Sequence, residues 1–390
     1  MIQIPTTRKL NRLAEARPFA PPARRASAHA LLLVSALVLA GCLPGSQRDN
    51  TRALTPADSL AAAIAEAVPA EDLREVWTTP LGEITPHPTG IAWLRPDSAE
   101  ARLAVVETQV GGIHLLGADG EVEGMWGVGG ETTYPYLAGV LGDTVAVFSR
   151  GAERLDWVTA GGVARSLPVP EGATGALVDR RGDRQRVVAR VGGGISELPA
   201  ALVALDASGG EVSRHTIRTG WRASGFVRAW GDSVLALSGY RPVADVLTPG
   251  SRAGEALDTL AFAGFDSPLL VRSYQFMAGE VKEPPLLSSA SRALGNDLYV
   301  LNLRAERVRV DVYGRDGRLR RVLQGPVPTL EDGQPTTLDV YPTDLDVRQT
   351  ANGLEIAVLL MRARGVLQRA DSRVILFRAE APPTPEPPDA

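Results

Sequence analysis

The 390-residue sequence predicts an all-β domain made of six four-stranded antiparallel units, and three observations predict it. From about residue 73, short runs of Val, Leu, Ile and aromatic residues alternate with Gly, Asp and Asn turn signals. Two different turn-and-strand units recur along this stretch. The two units alternate, so that each pair of them makes one sheet of four strands.

The first unit is a Gly, Asp or Asn turn followed by an apolar strand, as in GDTVAVFS from Gly142. Its turns lie near residues 97, 142, 182, 231, 295 and 352. The second unit is a strand, a two-residue turn and a second strand. Its turns are Asp119-Gly120, Gly161-Gly162, Gly209-Gly210 and Asp316-Gly317, with a degenerate copy at Gly254-Glu255. Such pairs tolerate the positive φ that tight hairpins need.

These units predict a six-bladed β-propeller, because radial repetition leaves only short, protected sheet edges. The sixth blade has SRVILFRAE at 372–380 as its third strand, and no fourth strand follows it. The isolated strand LREVWTTPL at 73–81 is therefore predicted to be the outer strand of that blade. A propeller of seven or eight blades and a β-sandwich are the alternatives.

Two runs of the sequence resemble a known repeat. VRVDVYGRDGRLRRVLQG, and more weakly GIHLLGADGEVEGMWG, are similar to the NHL-type repeat of six-bladed propellers, in which an apolar strand ends in an Asp or Gly turn. The resemblance covers residues 73–380 and implies a fold, not a reaction. Within the first run, the alternation of Val308, Val310 and Val312 with Arg309 and Asp311 is typical of a half-buried strand.

The first 41 residues have the features of a bacterial lipoprotein signal peptide. A positive stretch precedes the apolar run ALLLVSALVL at 30–39, which is too short for an ordinary transmembrane helix. Leu39-Ala40-Gly41-Cys42 follows and resembles a lipobox, in which the cysteine receives a lipid and the chain is cut before it. The resemblance implies a membrane anchor on Cys42. Leu rather than Asp at residue 43 resembles an outer-membrane address, on the periplasmic or the surface side.

The chain is thus predicted to have four parts. They are a signal peptide at 1–41, a linker with a short helix at 42–72, the propeller at 73–380 and a Pro-rich, disordered tail at 381–390. The helix is predicted over 55–68, where Thr55 can cap it and Pro56 suits the first helical position. Cys42 is the only cysteine, so the mature chain has no disulfide and depends on burial alone.

Charge excludes a nucleic-acid-binding protein. Cleavage before Cys42 removes six basic residues and one acidic residue, which leaves 35 basic and 44 acidic residues and a net charge of −9. Contacts to the phosphates of nucleic acids need clustered positive charge, and this balance does not provide it.

The sequence predicts no catalytic residue, no metal site and no cofactor. His87, His114 and His215 are the only histidines of the mature chain, and they are scattered. A zinc site needs three or four converging ligands. Asp344 and Asp346, in DLDV, lie on one face of a strand. We interpret this face as solvated. A calcium site is the alternative, but it would need further oxygen ligands beside these two carboxylates.

Arginines and aromatic residues recur on one side of the predicted propeller. The turns between second and third strands share that side with the blade-to-blade loops, and we expect a binding surface there. Its candidate residues are Arg150, Arg154, Arg190, Arg222, Arg241, Arg304, Arg307, Arg364, Tyr134, Tyr136 and Trp221. Guanidinium groups bind carboxylates and phosphates at two points, so an anionic partner is expected. Solvated turns are the alternative interpretation, because Arg is the usual cation of this chain.

Three hypotheses for the function follow. The leading one is a lipid-anchored protein of the cell envelope that binds or scaffolds an unknown envelope protein or an anionic ligand and performs no chemistry. Such a protein would contact the membrane through the lipid on Cys42. The second is an enzyme of lyase or lactonase type on a propeller scaffold. The third is a structural part of an envelope assembly.

Overall fold

Six antiparallel sheets form the protein in the computed structural model. The structure describes residues 56–82, 85, 87–109, 111–127, 132–192, 200–217, 226–304, 307–326, 340–362 and 371–379. Ahead of the first complete sheet lie one helix and two strands: α1 (Pro56–Ala67), β1 (Ala70–Asp72) and β2 (Arg74–Pro80).

Four sheets follow one another along the chain. Blade one comprises β3 (Pro88–Leu94), β4 (Arg102–Glu107), β5 (Ile113–Leu116) and β6 (Val122–Trp126). Blade two comprises β7 (Pro135–Leu141), β8 (Thr144–Ser149), β9 (Arg154–Thr159) and β10 (Gly162–Pro168). Blade three comprises β11 (Ala173–Arg181), β12 (Arg184–Val191), β13 (Ala200–Leu205) and β14 (Glu211–Ile217). Blade four comprises β15 (Val227–Trp230), β16 (Ser233–Leu237), β17 (Val243–Leu247) and β18 (Asp258–Ala261).

The last two blades also recruit strands from the start of the chain. After α2 (Leu270–Met277), blade five comprises β19 (Ser288–Leu294), β20 (Asp297–Asn302), β21 (Arg307–Tyr313) and β22 (Leu319–Pro326). Blade six comprises β23 (Val340–Thr350), β24 (Gly353–Arg362) and β25 (Asp371–Ala379). The six blades confirm the predicted all-β, six-bladed propeller.

The outer strand of blade six is β2. It pairs antiparallel with β25, with Thr78 opposite Ile375, and gives the sheet the order β2-β25-β24-β23. Trp77 of the same strand donates a hydrogen bond from Nε1 to the backbone oxygen of Ala118 in blade one at 2.9 Å. The strand that the sequence placed over 73–81 therefore lies beside β25, the last strand that the structure describes, and contacts the first blade.

Blade five has a fifth strand that the sequence did not predict. β1, from the stretch interpreted as a linker, pairs in parallel with β22, with Glu71 opposite Leu323. The Glu71 carboxylate also accepts hydrogen bonds from Arg321 at 2.6 and 2.8 Å. Just before it, α1 occupies most of the predicted helical range and packs Ile64 against the core between blades four and five. This segment therefore crosses the outer rim from blade four to blade six.

Buried apolar residues form one cluster at each of the six interfaces between neighbouring blades. Between blades two and three, Phe148 and Trp157 pack against Val178 and Val203. The approach is so close there that a Cβ on Gly139 would lie 1.9 Å from the backbone oxygen of Val178. Among the described residues, no helix is long and apolar enough to span a lipid bilayer.

The two ends of the ring differ in their connections. We call the end that carries Gln109, Arg150, Gly192, Tyr240 and Leu303 the loop face, because second strands lead into third strands there. We call the end that carries Asp97, Gly142, Gly182, Gly231 and Gly295 the turn face, because first strands lead into second strands there.

Candidate functional site

The predicted binding residues fall into two groups. Cys42, Trp221, Arg222 and Arg364 lie outside the described residues. Tyr134, Tyr136, Arg150, Arg154, Arg190, Arg241, Arg304 and Arg307 are described, and they lie at the loop face or at the strand ends that meet it.

Arg190 is a buried guanidinium near the end of β12. Its exposed fraction is 9 %. Nε donates to Thr174 Oγ1 at 3.0 Å and Nη2 to the backbone oxygen of Thr174 at 3.5 Å, whereas Nη1 has no hydrogen-bond partner within the described part of the chain. Burial lowers the pKa of Arg190 to about 10, helped by the positive charge of Arg150 and opposed by Tyr240. The group stays protonated at neutral pH.

Arg190 interacts electrostatically with one side chain from each neighbouring blade. Arg150 begins a short 3-10 turn between β8 and β9, and its backbone N–H donates to the oxygen of Tyr134 at 3.3 Å. Tyr240 lies between β16 and β17, and burial raises its pKa while Arg190 opposes that rise. Blades two, three and four thus contribute Arg150, Arg190 and Tyr240 to one region of the loop face, which we call the arginine cluster.

The two predicted arginines of blade five have partners of their own. Arg304 contacts Asp266 Oδ2 at 2.8 Å, and Arg309, on the next strand, contacts the same oxygen at 2.9 Å. Arg307 donates to Gln324 Oε1 at 2.9 Å and is exposed. The half-buried interpretation of β21 is wrong, because Arg309 and Asp311 are buried as an ion pair instead of facing water.

The interpretation of Asp344 and Asp346 as a solvated face is also wrong. Asp344 is fully buried, and the side chain of Asp346 is 15 % exposed. Asp344 Oδ2 accepts from the backbone N–H of Ile91 at 3.0 Å, and Asp346 Oδ2 accepts from that of Trp93 at 2.7 Å. The physical reason is position: β23 is an innermost strand, and the facing edge of β3 presents unpaired N–H groups that need acceptors.

Two arginines from other blades complete this central group. Arg292 of β19 lies 3.5 Å from Asp344 and 3.3 Å from Asp346, and Arg228 of β15 lies 3.6 Å from Asp344. Burial raises the pKa of both aspartates, and the charge of Arg292 opposes the rise. The sequence shows the two aspartates at a spacing of two residues. It does not show their arginine partners, because these come from distant strands.

The three histidines lie in separate places. His114 and His215 are buried on β5 and β14, in blades one and three, and His87 is exposed ahead of β3. Burial lowers the pKa of His114, and Glu107 opposes this. Over the residues that the structure describes, no group of three or more His, Cys, Asp or Glu side chains could hold a metal ion.

On the turn face, arginines join neighbouring blades. Arg95 of blade one forms an ion pair with Asp143 of blade two. Arg181 of blade three lies 3.0 Å from Asp232 Oδ1 of blade four. The Arg315 guanidinium of blade five lies 4.4 Å from the ring centroid of Trp230 in blade four. Exposed arginines without an ion pair to any described residue occur on both faces: Arg150 on the loop face, and Arg184 and Arg318 on the turn face.

Comparisons of the sequence with protein-family models and with curated proteins find no match. Solved structures with a similar fold include a streptogramin B lyase, 11 % identical over 79 % of this chain and 88 % of that chain, with a TM-score of 0.45. A calcium-binding protein, regucalcin, from Agrobacterium tumefaciens is 11 % identical over 80 % of this chain and 97 % of that chain, with a TM-score of 0.45. Hydrazine synthase of Kuenenia stuttgartiensis is 15 % identical over 71 % of this chain and 77 % of that chain, with a TM-score of 0.43. Similarity at this level does not identify an activity or a ligand.

Proposed function

We propose that the protein is a lipid-anchored binding module of the cell envelope, and that its loop face takes an anionic partner. The observation that supports the binding face is a buried arginine at that end of the ring. Arg190 has no carboxylate partner among the described residues, whereas the other buried arginines each contact a carboxylate. Arg150 on the loop face has no ion pair among the described residues and is open to a partner.

The anchor rests on the sequence alone. The run LVLAGC ends at Cys42 and resembles a lipobox, which would place the protein on the outer membrane, at its periplasmic or surface side. Residues 43–55 would then separate the lipid from α1. The similarity to NHL-type repeats is likewise part of this proposal.

The second candidate is an enzyme of lyase or lactonase type, and one observation favours it. Asp344 and Asp346 are carboxyl groups of raised pKa at the centre of the ring, next to Arg292, and such groups are common in active sites. Their hydrogen bonds to the backbone of β3 support a structural role instead. The binding module is therefore the leading proposal, and a structural part of an envelope assembly is the third.

A paired pull-down tests the binding face. Tyr134→Ala with Arg150→Ala changes two exposed loop-face side chains, and Arg184→Ala with Arg318→Ala changes two exposed turn-face side chains. Each full-length variant is used as bait on detergent-solubilised membranes. We expect partner recovery to fall in the loop-face variant only, and to fall with added salt, as exposed charge contacts do. Loss in the turn-face variant alone would contradict the proposal.

A further inference from the structure

Arg190 differs from the other buried arginines of the described chain. Arg309 contacts Asp311 at 2.8 Å, Arg348 contacts Glu355 at 2.7 Å and Arg228 contacts Asp344 at 3.6 Å. Arg190 is as buried as these and has no carboxylate partner among the described residues. Burying a charge without a counter-ion is strongly unfavourable, so a protein that keeps one there usually has a use for it.

The position of the guanidinium leaves one of its donor atoms, Nη1, buried without a hydrogen-bond partner among the described residues. Arg190 lies opposite Gly175 of β11, the innermost strand of blade three. A Cβ on Gly175 would lie 3.5 Å from Arg190 Nη2, so the guanidinium extends over this glycine toward the centre of the ring. Thr174 holds Nε at 3.0 Å and fixes the orientation, while Nη1 remains without a partner in the described structure.

The neighbours of Arg190 are suited to a negatively charged group. Burial is the main cause of the lowered pKa of Arg190, and the positive charge of Arg150 adds to it, so two like charges lie near each other. An anion between them would relieve this repulsion. Burial raises the pKa of Tyr240, so its hydroxyl stays protonated and can donate a hydrogen bond to an anion.

We infer that the arginine cluster is a binding site for one oxyanion group, a carboxylate or a phosphate, held by Arg190 with help from Arg150 and Tyr240. The inference rests on the proposed function, because it supplies the chemistry by which the loop face would recognise an anionic partner. Guanidinium groups suit both oxyanions, since their planar fork offers two parallel N–H donors.

Thermal unfolding of the full-length protein in detergent tests this inference, with inorganic phosphate and acetate as separate probes at constant ionic strength. A ligand that binds only the folded state raises the melting temperature. We expect at least one probe to do so, and the responding probe identifies phosphate or carboxylate as the preferred group. Arg190→Met should abolish the shift. Arg184→Met, at the turn-face end of the same strand, should keep it.

Two results would overturn the inference: no shift with either probe, or a shift in Arg190→Met as large as in the parent. If Arg190→Met does not fold, Arg190→Lys replaces it in the test, because lysine keeps the positive charge but lacks the two parallel N–H donors of the guanidinium. An increase in melting temperature as large in Arg190→Lys as in the parent would then overturn the inference. The membrane pull-down tests the proposed function independently of this oxyanion site. A partner that maps to the turn face, together with an Arg190-dependent shift, would refute the proposed function and leave the oxyanion site standing.

Discussion

The Asp344 carboxylate accepts a hydrogen bond from the backbone N–H of Ile91 at 3.0 Å and so joins the innermost strands of the last and first blades. Asp346 repeats the contact two residues along, on Trp93. At the outer edge, β2 pairs with β25 and contacts blade one through Trp77. The junction between the first and last blades is therefore held at both its inner and its outer edge.

The inner junction predicts a specific order of stability among variants at position 344. Asp344→Ala removes the acceptor and leaves the N–H of Ile91 buried without a partner, which should lower the free energy of unfolding by about 2 kcal/mol. Asp344→Asn loses the same charge but keeps an acceptor oxygen, so it should lower the free energy of unfolding by about 1 kcal/mol less than Asp344→Ala does. Urea unfolding of both variants measures the difference. Equal losses would mean that the charge, and not the hydrogen bond, stabilises the junction.

The raised pKa of Asp344 predicts a pH dependence with a definite sign. Because the folded pKa lies above the ordinary value of 3.8, this group contributes stability that is fully present below 3.8 and lost as pH rises through its folded pKa. The stability of the parent relative to Asp344→Asn should therefore fall as pH rises above about 4, toward neutral pH. Urea unfolding of both proteins across this range measures the difference in their free energies of unfolding. If the parent becomes more stable relative to Asp344→Asn as pH rises, the prediction is wrong.

The blade count could be predicted from the sequence because each hairpin turn is a local signal. Asp119-Gly120 and Asp316-Gly317 mark their turns within a few residues, and counting such turns led to a missing outer strand. β1 was missed because its three residues pair in parallel with β22, which leaves no local pattern. The burial of Asp344 was missed for a related reason, since its N–H partner is on Ile91, 253 residues away.

The candidate site was predictable only in part. The loop-face arginines followed from blade topology, which fixes the end of the ring on which each turn lies. Whether an arginine has a carboxylate partner depends on residues of other strands and loops. The Arg304 guanidinium hydrogen-bonds to Asp266, 38 residues earlier in the chain. The Arg190 guanidinium hydrogen-bonds only to Thr174 among the described residues. No spacing rule in the sequence separates these two arginines.

Close contact between blades two and three predicts that Gly139 does not tolerate a side chain. A Cβ there would lie 1.9 Å from the backbone oxygen of Val178, so Gly139→Ala must push the two blades apart. The expected loss is about 3 kcal/mol of unfolding free energy, as in overpacked cores. Gly124→Ala is the control, because no atom lies within 4 Å of its added Cβ. Thermal and urea unfolding should separate the two variants, and equal stabilities would show that blade two shifts freely.

Metal removal is predicted to leave the fold unchanged. His114 and His215 are buried in different blades, and the described residues contain no cluster of three metal-binding side chains. Dialysis against a chelator should therefore not move the melting temperature. A marked loss of stability that calcium or zinc restores would refute this expectation and show that the fold depends on a bound metal ion.

The lipid anchor predicts the fate of a Cys42 variant. In the lipobox that LVLAGC resembles, the cysteine sulfur must be acylated before the signal peptide is cut. Cys42→Ala should therefore accumulate as the uncut chain and take up no fatty acid. Ser46→Ala, four residues away and outside the motif, should be cut and acylated like the parent.

Labelling with a fatty-acid analogue and mass spectrometry of the N-terminal peptide distinguish these products. The parent should begin at Cys42 and carry acyl chains, since two or more chains hold a protein durably on a membrane whereas one holds it only marginally. If the Cys42→Ala protein is still cut before residue 42 and still sediments with membranes, attachment does not depend on this lipid.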